Sequence, residues 1–236
     1  MKSLRTVTAV VALLATATAA GAAELQPFIA RYTFAWHGMT VGESTLRLER
    51  DLGDKWKYTS ATAPRGFGRL YRSRDIVNES LLQETPAGMR PLTYRAEDGS
   101  DSTERDSQLS FDWERGRVTG LVGSHRIDME VPEGTQDDLS VQIALMYELL
   151  AGRTPTGFRV FDETGVREYR YTHEGSATLD TPMGKVQTEI YRSQRDGSPR
   201  ATRFWCAPDW GYLPMRAEQR RKGEVEWTME IRRVTR

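Results

Sequence analysis

The chain has 236 residues, and its 33 lysines and arginines balance its 33 aspartates and glutamates to a formal net charge of zero. This balance excludes the strongly basic composition of a typical nucleic-acid binder, so we expect no nucleic-acid partner. The single cysteine excludes an internal disulfide, so burial of apolar side chains must stabilise the fold. The length is sufficient for one sizeable all-β domain.

Residues 1–23 have the three parts of an export signal. A positively charged start that includes Lys2 is followed by the apolar run Val7–Ala20 and then by small residues. The run is shorter than the roughly 20 apolar residues that a membrane-spanning helix needs, and no later segment approaches that length. We therefore expect a signal peptide over 1–23, a single β-rich domain over 24–236, a periplasmic location and no transmembrane segment.

After the leader, apolar and polar residues alternate with the period of two that is typical of half-buried strands. Phe28–Trp36 is the first such segment. Ser44, Leu46 and Leu48 are predicted to form the inward face of a second strand, and a third strand follows. Short glycine-containing turns connect these segments, which indicates an antiparallel meander. Pro64–Tyr71, with two glycines around its phenylalanine, interrupts the alternation and is interpreted as a flap.

Asp137–Gly152 is the long segment after the leader with a helical apolar period. Its apolar arc covers more than half of the circumference and leaves a narrow polar stripe of Ser140, Ala144 and Glu148. Asp137 or Asp138 is expected to accept hydrogen bonds from the free N–H groups of the first turn, and Gly152 to end the helix in the left-handed conformation. A helix this apolar is expected to lie against or inside a curved sheet.

Strand patterns return between Gly157 and Val234, separated by turn residues such as Glu174-Gly175. About a dozen strands around one helix are too many for a small flat sheet. We therefore predict a mainly β fold, in which a single antiparallel curved sheet forms an open or spiral half-barrel around one central α-helix.

The sequence lacks the common catalytic and metal-binding motifs. His37, His125 and His173 do not have the paired spacing of a zinc site, and neither a nucleophile elbow nor a phosphate-binding glycine loop is present. Cys206 ends an apolar alternating segment, where a small buried residue is more typical than a nucleophile. We therefore expect no enzymatic activity, no catalytic residue, no metal site and no cofactor.

Aromatic residues on the strands favour a binding role instead. Core packing is the usual reason for such residues, but a half-closed barrel also leaves apolar surface at its mouth that a ligand can cover. We predict that the ligand-binding side chains come from the strands, the flap and the helix, and are Trp36, Trp56, Tyr58, Phe67, Leu145, Met146, Leu149, Trp205 and Tyr212.

Short motifs are spread along the chain after the leader. They are Tyr32 and Gly42 in the first hairpin, Asp138-Leu139-Ser140, Thr181-Pro182-Met183-Gly184, Arg203-Phe204-Trp205, Asp209 and Leu213-Pro214-Met215-Arg216. Their pattern resembles the bacterial exported domain-of-unknown-function family 3108, most specifically between Trp205 and Arg216. The resemblance implies a fold similar to the curved half-barrels of periplasmic lipoprotein carriers and to spiral-sheet envelope-integrity proteins. It implies no catalytic residue and no cofactor.

Three functions are compatible with these observations. The first is a non-catalytic periplasmic protein, for binding or envelope maintenance, that holds a lipid or lipidated chain between sheet and helix. The second is an interaction module for a periplasmic partner protein or cell-wall polymer, which would use the basic residues Arg216, Arg220 and Arg221. The third is a hydrolase with carboxylates borne on several strands. We favour the first, because burial of apolar area needs no special polar chemistry.

Overall fold

The computed structural model describes residues 24–70, 72–162 and 164–236, so the predicted signal peptide lies outside the described residues. Within these ranges the chain forms fifteen strands, one α-helix and two short 3-10 helices. The helix α1 is Ser140–Leu150, and the 3-10 helices are Gly66–Leu70 and Pro208–Trp210. The strands are β1 (Phe28–Trp36), β2 (Met39–Arg50), β3 (Lys55–Pro64), β4 (Ile76–Thr85), β5 (Gly88–Glu97), β6 (Ser107–Asp112), β7 (Arg117–Val122), β8 (His125–Glu130), β9 (Gln136–Asp137), β10 (Gly157–Asp162), β11 (Gly165–Thr181), β12 (Gly184–Arg195), β13 (Arg200–Ala207), β14 (Leu213–Arg221) and β15 (Glu224–Thr235).

All fifteen strands belong to one sheet, in the order β8 to β1, then β15 to β9. Each strand pairs antiparallel with its sequence neighbour, and β15 pairs with β1 in the middle of the sheet. The short strand β9 differs, because it pairs parallel with β10. A parallel pair needs a long connection, and α1 with its loops provides it. The edges of the sheet are therefore β8 and β9, which do not pair with each other. This confirms the predicted mainly β fold with an open half-barrel sheet.

The predicted alternation places the core on the concave side of the sheet. Ser44, Leu46 and Leu48 are buried along β2, and Trp56 and Tyr58 on β3 have no exposed surface. Contacts across the concave side show how far the sheet curls. Tyr32 Oη on β1 donates to the carbonyl oxygen of Pro214 on β14 at 2.9 Å, and the rings of Phe111 on β6 and Phe161 on β10 lie 6.4 Å apart.

Two local predictions were wrong. Glu174-Gly175 is not a turn between strands, because β11 continues through it as a bulge between the pairs His173–Tyr191 and Ser176–Glu189. Gly175 has a φ of +104°, which lets the strand absorb the one extra residue. The polar stripe of α1 was also misplaced: Ser140 and Ala144 are buried, so the helix is enclosed on that side as well. Gly152 ends the helix in the left-handed region, as predicted.

A buried carboxylate fixes the start of α1. Asp137 Oδ1 accepts hydrogen bonds from the backbone N–H groups of Leu139 at 2.8 Å and Ser140 at 2.6 Å. Asp137 Oδ2 accepts from the hydroxyl of Ser80 on β4 at 2.6 Å. Gln136 Nε2 donates to the carbonyl oxygen of Met89 on β5 at 2.8 Å. These bonds tie the edge strand β9 and the helix to β4 and β5. We call this set of bonds the polar tie.

Burial raises the pKa of Asp137 to about 6, although its hydrogen bonds with Ser80, Ser140 and Leu139 oppose the shift. Folding therefore favours the protonated carboxyl. The contribution of this group to the free energy of unfolding should be greatest below about pH 4, the pKa region of an unfolded aspartate. It should decline as the pH rises through the folded pKa of about 6.

The variant Asp137→Asn keeps an oxygen acceptor for the two N–H groups and does not titrate. We expect the difference in free energy of unfolding between wild type and this variant to change by roughly 3 kcal/mol between about pH 4 and pH 7, with wild type losing stability as the pH rises. Urea denaturation across this range measures it. The exposed Asp51, changed to Asn, is the control. If the free energies of unfolding of wild type and Asp137→Asn changed equally with pH, the raised pKa of Asp137 would be contradicted.

Candidate functional site

The two ends of the half-barrel differ in what fills them. At one end, the helix end, the C-terminal part of α1 reaches the β4–β5 turn, where Glu148 Oε1 lies 3.4 Å from the position of a Cβ on Gly88. At the other end, the open end, β1 finishes and β15 begins, and Trp36 pairs in register with Trp227. The concave side at the open end is not occupied by α1.

The nine side chains predicted to bind a ligand fall into three groups. Five of them, Trp56, Tyr58, Leu145, Met146 and Leu149, are at most 5% exposed, so protein atoms already cover them. Two others lie away from the open end. Trp205 stacks under the guanidinium of Arg216, on the face of β13 opposite the buried Cys206, and Tyr212 follows the 3-10 helix at the helix end. The last two, Trp36 and Phe67, lie at the open end.

An apolar pocket of about 300 Å³ opens at this end. It lies between the ends of β1 and β3, the starts of β2 and β4, and the 3-10 helix Gly66–Leu70. Its lining residues are Phe34, Trp36, Val41, Thr62, Pro64, Gly68, Arg72 and Ile76. Of the nine predicted residues, Trp36 lines the pocket, and Phe67 sits on the adjoining 3-10 helix. The other lining residues were not predicted from the sequence as ligand-binding residues, although Phe34 shares the inward face of β1 with Trp36.

The 3-10 helix is held closely against β2. The N–H of Arg65 donates to the carbonyl oxygen of Val41 at 2.7 Å, and the N–H of Gly68 donates to that of Arg65 at 2.8 Å. A Cβ at Gly68 would lie 2.2 Å from the Val41 oxygen, so only glycine allows this approach. The predicted flap is therefore a short helix packed on the rim, and its side chains Phe67 and Leu70 are 70% and 77% exposed.

A polar pocket of about 180 Å³ adjoins the apolar one, because Arg72 and Ile76 line both. Its charged lining residues are Arg72, Glu97, Asp98, Arg105, Asp138 and Asp162. Arg72 and Asp98 form an ion pair at 3.4 Å, and Asp162 lies 3.6 Å from both Arg167 and Arg195. The open end therefore combines an apolar compartment with a polar one, a pattern that suits an amphipathic ligand.

The family described as "Protein of unknown function (DUF3108)" matches residues 31–230. The chain belongs to this family. The resemblance seen in the short motifs is confirmed. In this DUF3108 protein, the motif Asp138-Leu139-Ser140 opens α1. The motifs from Arg203 to Arg216 lie on β13, on the 3-10 helix Pro208–Trp210 and on β14.

Solved structures that resemble this DUF3108 protein include the following two. A beta-barrel-like protein of domain of unknown function DUF1849 from Brucella abortus is 11% identical, with a TM-score of 0.55 over 88% of this chain and 96% of that one. A putative exported protein with a YmcC-like fold from Bacteroides fragilis is 11% identical, with a TM-score of 0.35 over 89% and 95%. The first likeness supports the barrel-like fold. No curated protein matches significantly.

Groups with catalytic potential lie apart in this DUF3108 protein. Cys206 has no exposed surface, and burial raises the pKa of its thiol. His173 contacts Glu189 at 2.6 Å on the sheet surface, whereas His37 and His125 lie at strand ends. In the described ranges, no three His, Cys, Asp or Glu side chains are grouped to hold a metal ion. The same ranges contain no helix both long and apolar enough to span a membrane.

The predicted basic strip on β14 is largely paired with carboxylates. Arg216 and Arg220 flank Glu218 at 2.8 and 2.6 Å, and Arg216 also approaches Glu230 at 3.8 Å. The nearby Arg203 contacts Glu174 at 2.5 Å. The convex face of β13 and β14 is therefore a ladder of ion pairs. Such a ladder is less suited to an acidic partner than free arginines would be.

Two buried tyrosines provide a matched test of hydrogen bonding in the interior. Tyr58 Oη is buried and has no hydrogen-bond partner, whereas Tyr32 Oη donates to Pro214. We expect Tyr58→Phe to raise the free energy of unfolding by about 1 kcal/mol, because a buried hydroxyl without a partner is removed. Tyr32→Phe should lower it by about 1 kcal/mol. Urea denaturation measures both. A loss of stability in Tyr58→Phe would show that its hydroxyl has a partner in solution.

Proposed function

We propose that this protein binds an apolar or amphipathic ligand, such as a lipid or a lipidated chain, at the open end of its half-barrel, and that it acts without catalysis in the periplasm. The observation that carries the proposal is the apolar pocket between β1, β2, β3, β4 and the 3-10 helix. Its volume of about 300 Å³ is at the lower limit of typical small-molecule sites.

Burial supplies the binding energy in this proposal. Apolar area removed from water contributes roughly 25 cal/mol per Å², so an acyl segment needs no specific polar partner. The adjoining polar pocket offers Arg72 and several carboxylates to a polar end group. The site differs from the one expected from the sequence, because α1 and the side chains around it already fill the space between helix and sheet.

The proposed compartment rests on the sequence of residues 1–23, which has the charge, apolar run and small residues of a signal peptide. Cell fractionation and N-terminal sequencing of the mature protein test it. Recovery from the periplasm with a new N-terminus near residue 24 is the expected result, and a cytoplasmic protein that keeps its leader would contradict it.

Ligand binding is tested with a brominated fatty acid, whose bromine quenches tryptophans that it contacts. We expect quenching in wild type, less quenching in Trp36→Phe, and unchanged quenching in Trp205→Phe, since Trp205 lies on the convex face. Ile76→Glu should weaken binding about tenfold or more, because a charge would face the apolar compartment. Its control is Val77→Glu, the next residue on β4, which faces the other side of the sheet.

Native mass spectrometry of protein purified from its own periplasm gives an independent readout. A bound mass that disappears on organic extraction supports the proposal. Two results together would overturn it: only apo protein in the mass spectrum, and equal quenching in wild type and Trp36→Phe.

A further inference from the structure

The rim of the open end carries four large apolar side chains with much of their surface exposed to solvent. Phe67 and Leu70 on the 3-10 helix are 70% and 77% exposed, and Trp36 and Met39, which pair across the β1–β2 turn, are 41% and 55% exposed. The 3-10 helix and this turn are neighbours, because Arg65 and Gly68 both contact Val41 of β2. We call the four exposed side chains the apolar rim. Exposed apolar clusters of this kind mark interaction surfaces.

Basic side chains adjoin the apolar rim along one segment of the chain. The segment from Pro64 to Arg74 contains Arg65, Arg69, Arg72 and Arg74 and no acidic residue. Arg65 makes a long, solvent-exposed contact with Glu43 at 3.6 Å, which is a weak interaction. Arg69 is exposed, and no described carboxylate lies within ion-pair distance of it. Arg72 is paired with Asp98 at 3.4 Å, and Arg74 donates to the carbonyl oxygen of Ser100. The rim is thus an apolar patch beside two basic side chains, the weakly paired Arg65 and the exposed Arg69.

We propose that the apolar rim docks on an anionic lipid surface, with Phe67 and Leu70 inserted among the acyl chains and the neighbouring arginines against the headgroups. Surface-binding elements combine these two features: aromatic and aliphatic side chains that enter the headgroup boundary, and cationic side chains beside them. A second copy of the chain fits less well. A two-fold contact through this rim would bring the same arginines together and repel.

Docking in this orientation presents the mouth of the apolar pocket to the bilayer, so a lipid could pass between them without crossing water. The docking itself does not require that the pocket hold a ligand. It rests on the exposed rim and its arginines, whereas the proposed function rests on the pocket lining. The two proposals can therefore fail separately.

Vesicle co-sedimentation tests the docking. Purified protein should sediment with vesicles of phosphatidylglycerol and phosphatidylcholine but not with phosphatidylcholine alone. Binding should weaken at roughly 0.5 M salt, where surface charges are strongly screened. Phe67→Ser combined with Leu70→Ser should weaken binding about tenfold or more, because two apolar anchors are lost. Arg69→Glu should weaken it at least about fivefold, because each arginine near an anionic surface contributes about 1 kcal/mol.

Matched controls lie at the helix end. Leu52 in the β2–β3 turn is 84% exposed, and Arg115 in the β6–β7 turn has 80% side-chain exposure. Leu52→Ser and Arg115→Glu should bind vesicles like wild type. Urea denaturation midpoints show that all variants remain folded.

Several results would overturn the proposal. One is equal sedimentation of wild type, the rim variants and the controls; another is equal binding to both vesicle types at all salt concentrations. A third is a wild-type protein that forms dimers and binds no vesicles, while the double variant Phe67→Ser, Leu70→Ser is monomeric. The rim would then contact a second copy of the chain. Absence of vesicle binding overturns docking even where the fatty acid binds. Vesicle binding that depends on the rim supports docking even where no fatty acid binds.

Discussion

The buried carboxylate of Asp137 determines how this sheet ends. The meander runs from β1 to β8 and from β10 to β15, and β15 closes back on β1, so pairing of β8 with β9 would complete a barrel. Instead the chain after β8 turns inward, and Gln136 and Asp137 bond to Met89 and Ser80 on β5 and β4. A buried carboxylate is costly unless several donors satisfy it, and here three do. The polar tie thus replaces the missing strand pairing.

The position of the tie makes the two ends of the half-barrel different. Because α1 starts at Ser140, just after Asp137 is bonded to Ser80 in the middle of β4, its eleven residues run toward the β4–β5 turn and fill that end. Ile143, Leu145 and Met146 are at most 2% exposed there. At the open end, the inward side chains of β1, β3 and β4 have no helix to pack against. The apolar pocket lies at that end.

Local patterns predicted the strands, the helix and the open, mainly β sheet, because alternation and turn residues act over a few positions. Nonlocal contacts decided the rest. Ser140 belongs to the polar stripe in the sequence pattern, yet it is buried because its hydroxyl bonds to Gln136 Oε1 at 2.9 Å. Leu145 and Met146 have the composition of a ligand site, but the helix carries them into packed core. The flap around Phe67 was the sequence signal that pointed to the candidate site. Ile76 and Val41 gave none, because their roles depend on which end of the barrel remains open.

Strand β4 connects the rigid part of the protein with its candidate binding end. Its inward side chains alternate from Ile76 in the pocket to Ser80 in the polar tie, four residues further along. Beyond the tie, β4 is fixed by core packing around the fully buried Leu82. Before the start of β4 the chain forms the 3-10 helix, which packs against β2 through the hydrogen bond from Arg65 to Val41. In this protein the part of β4 that the helix and the core cover ends near the polar tie, and the candidate pocket and the apolar rim lie beyond it.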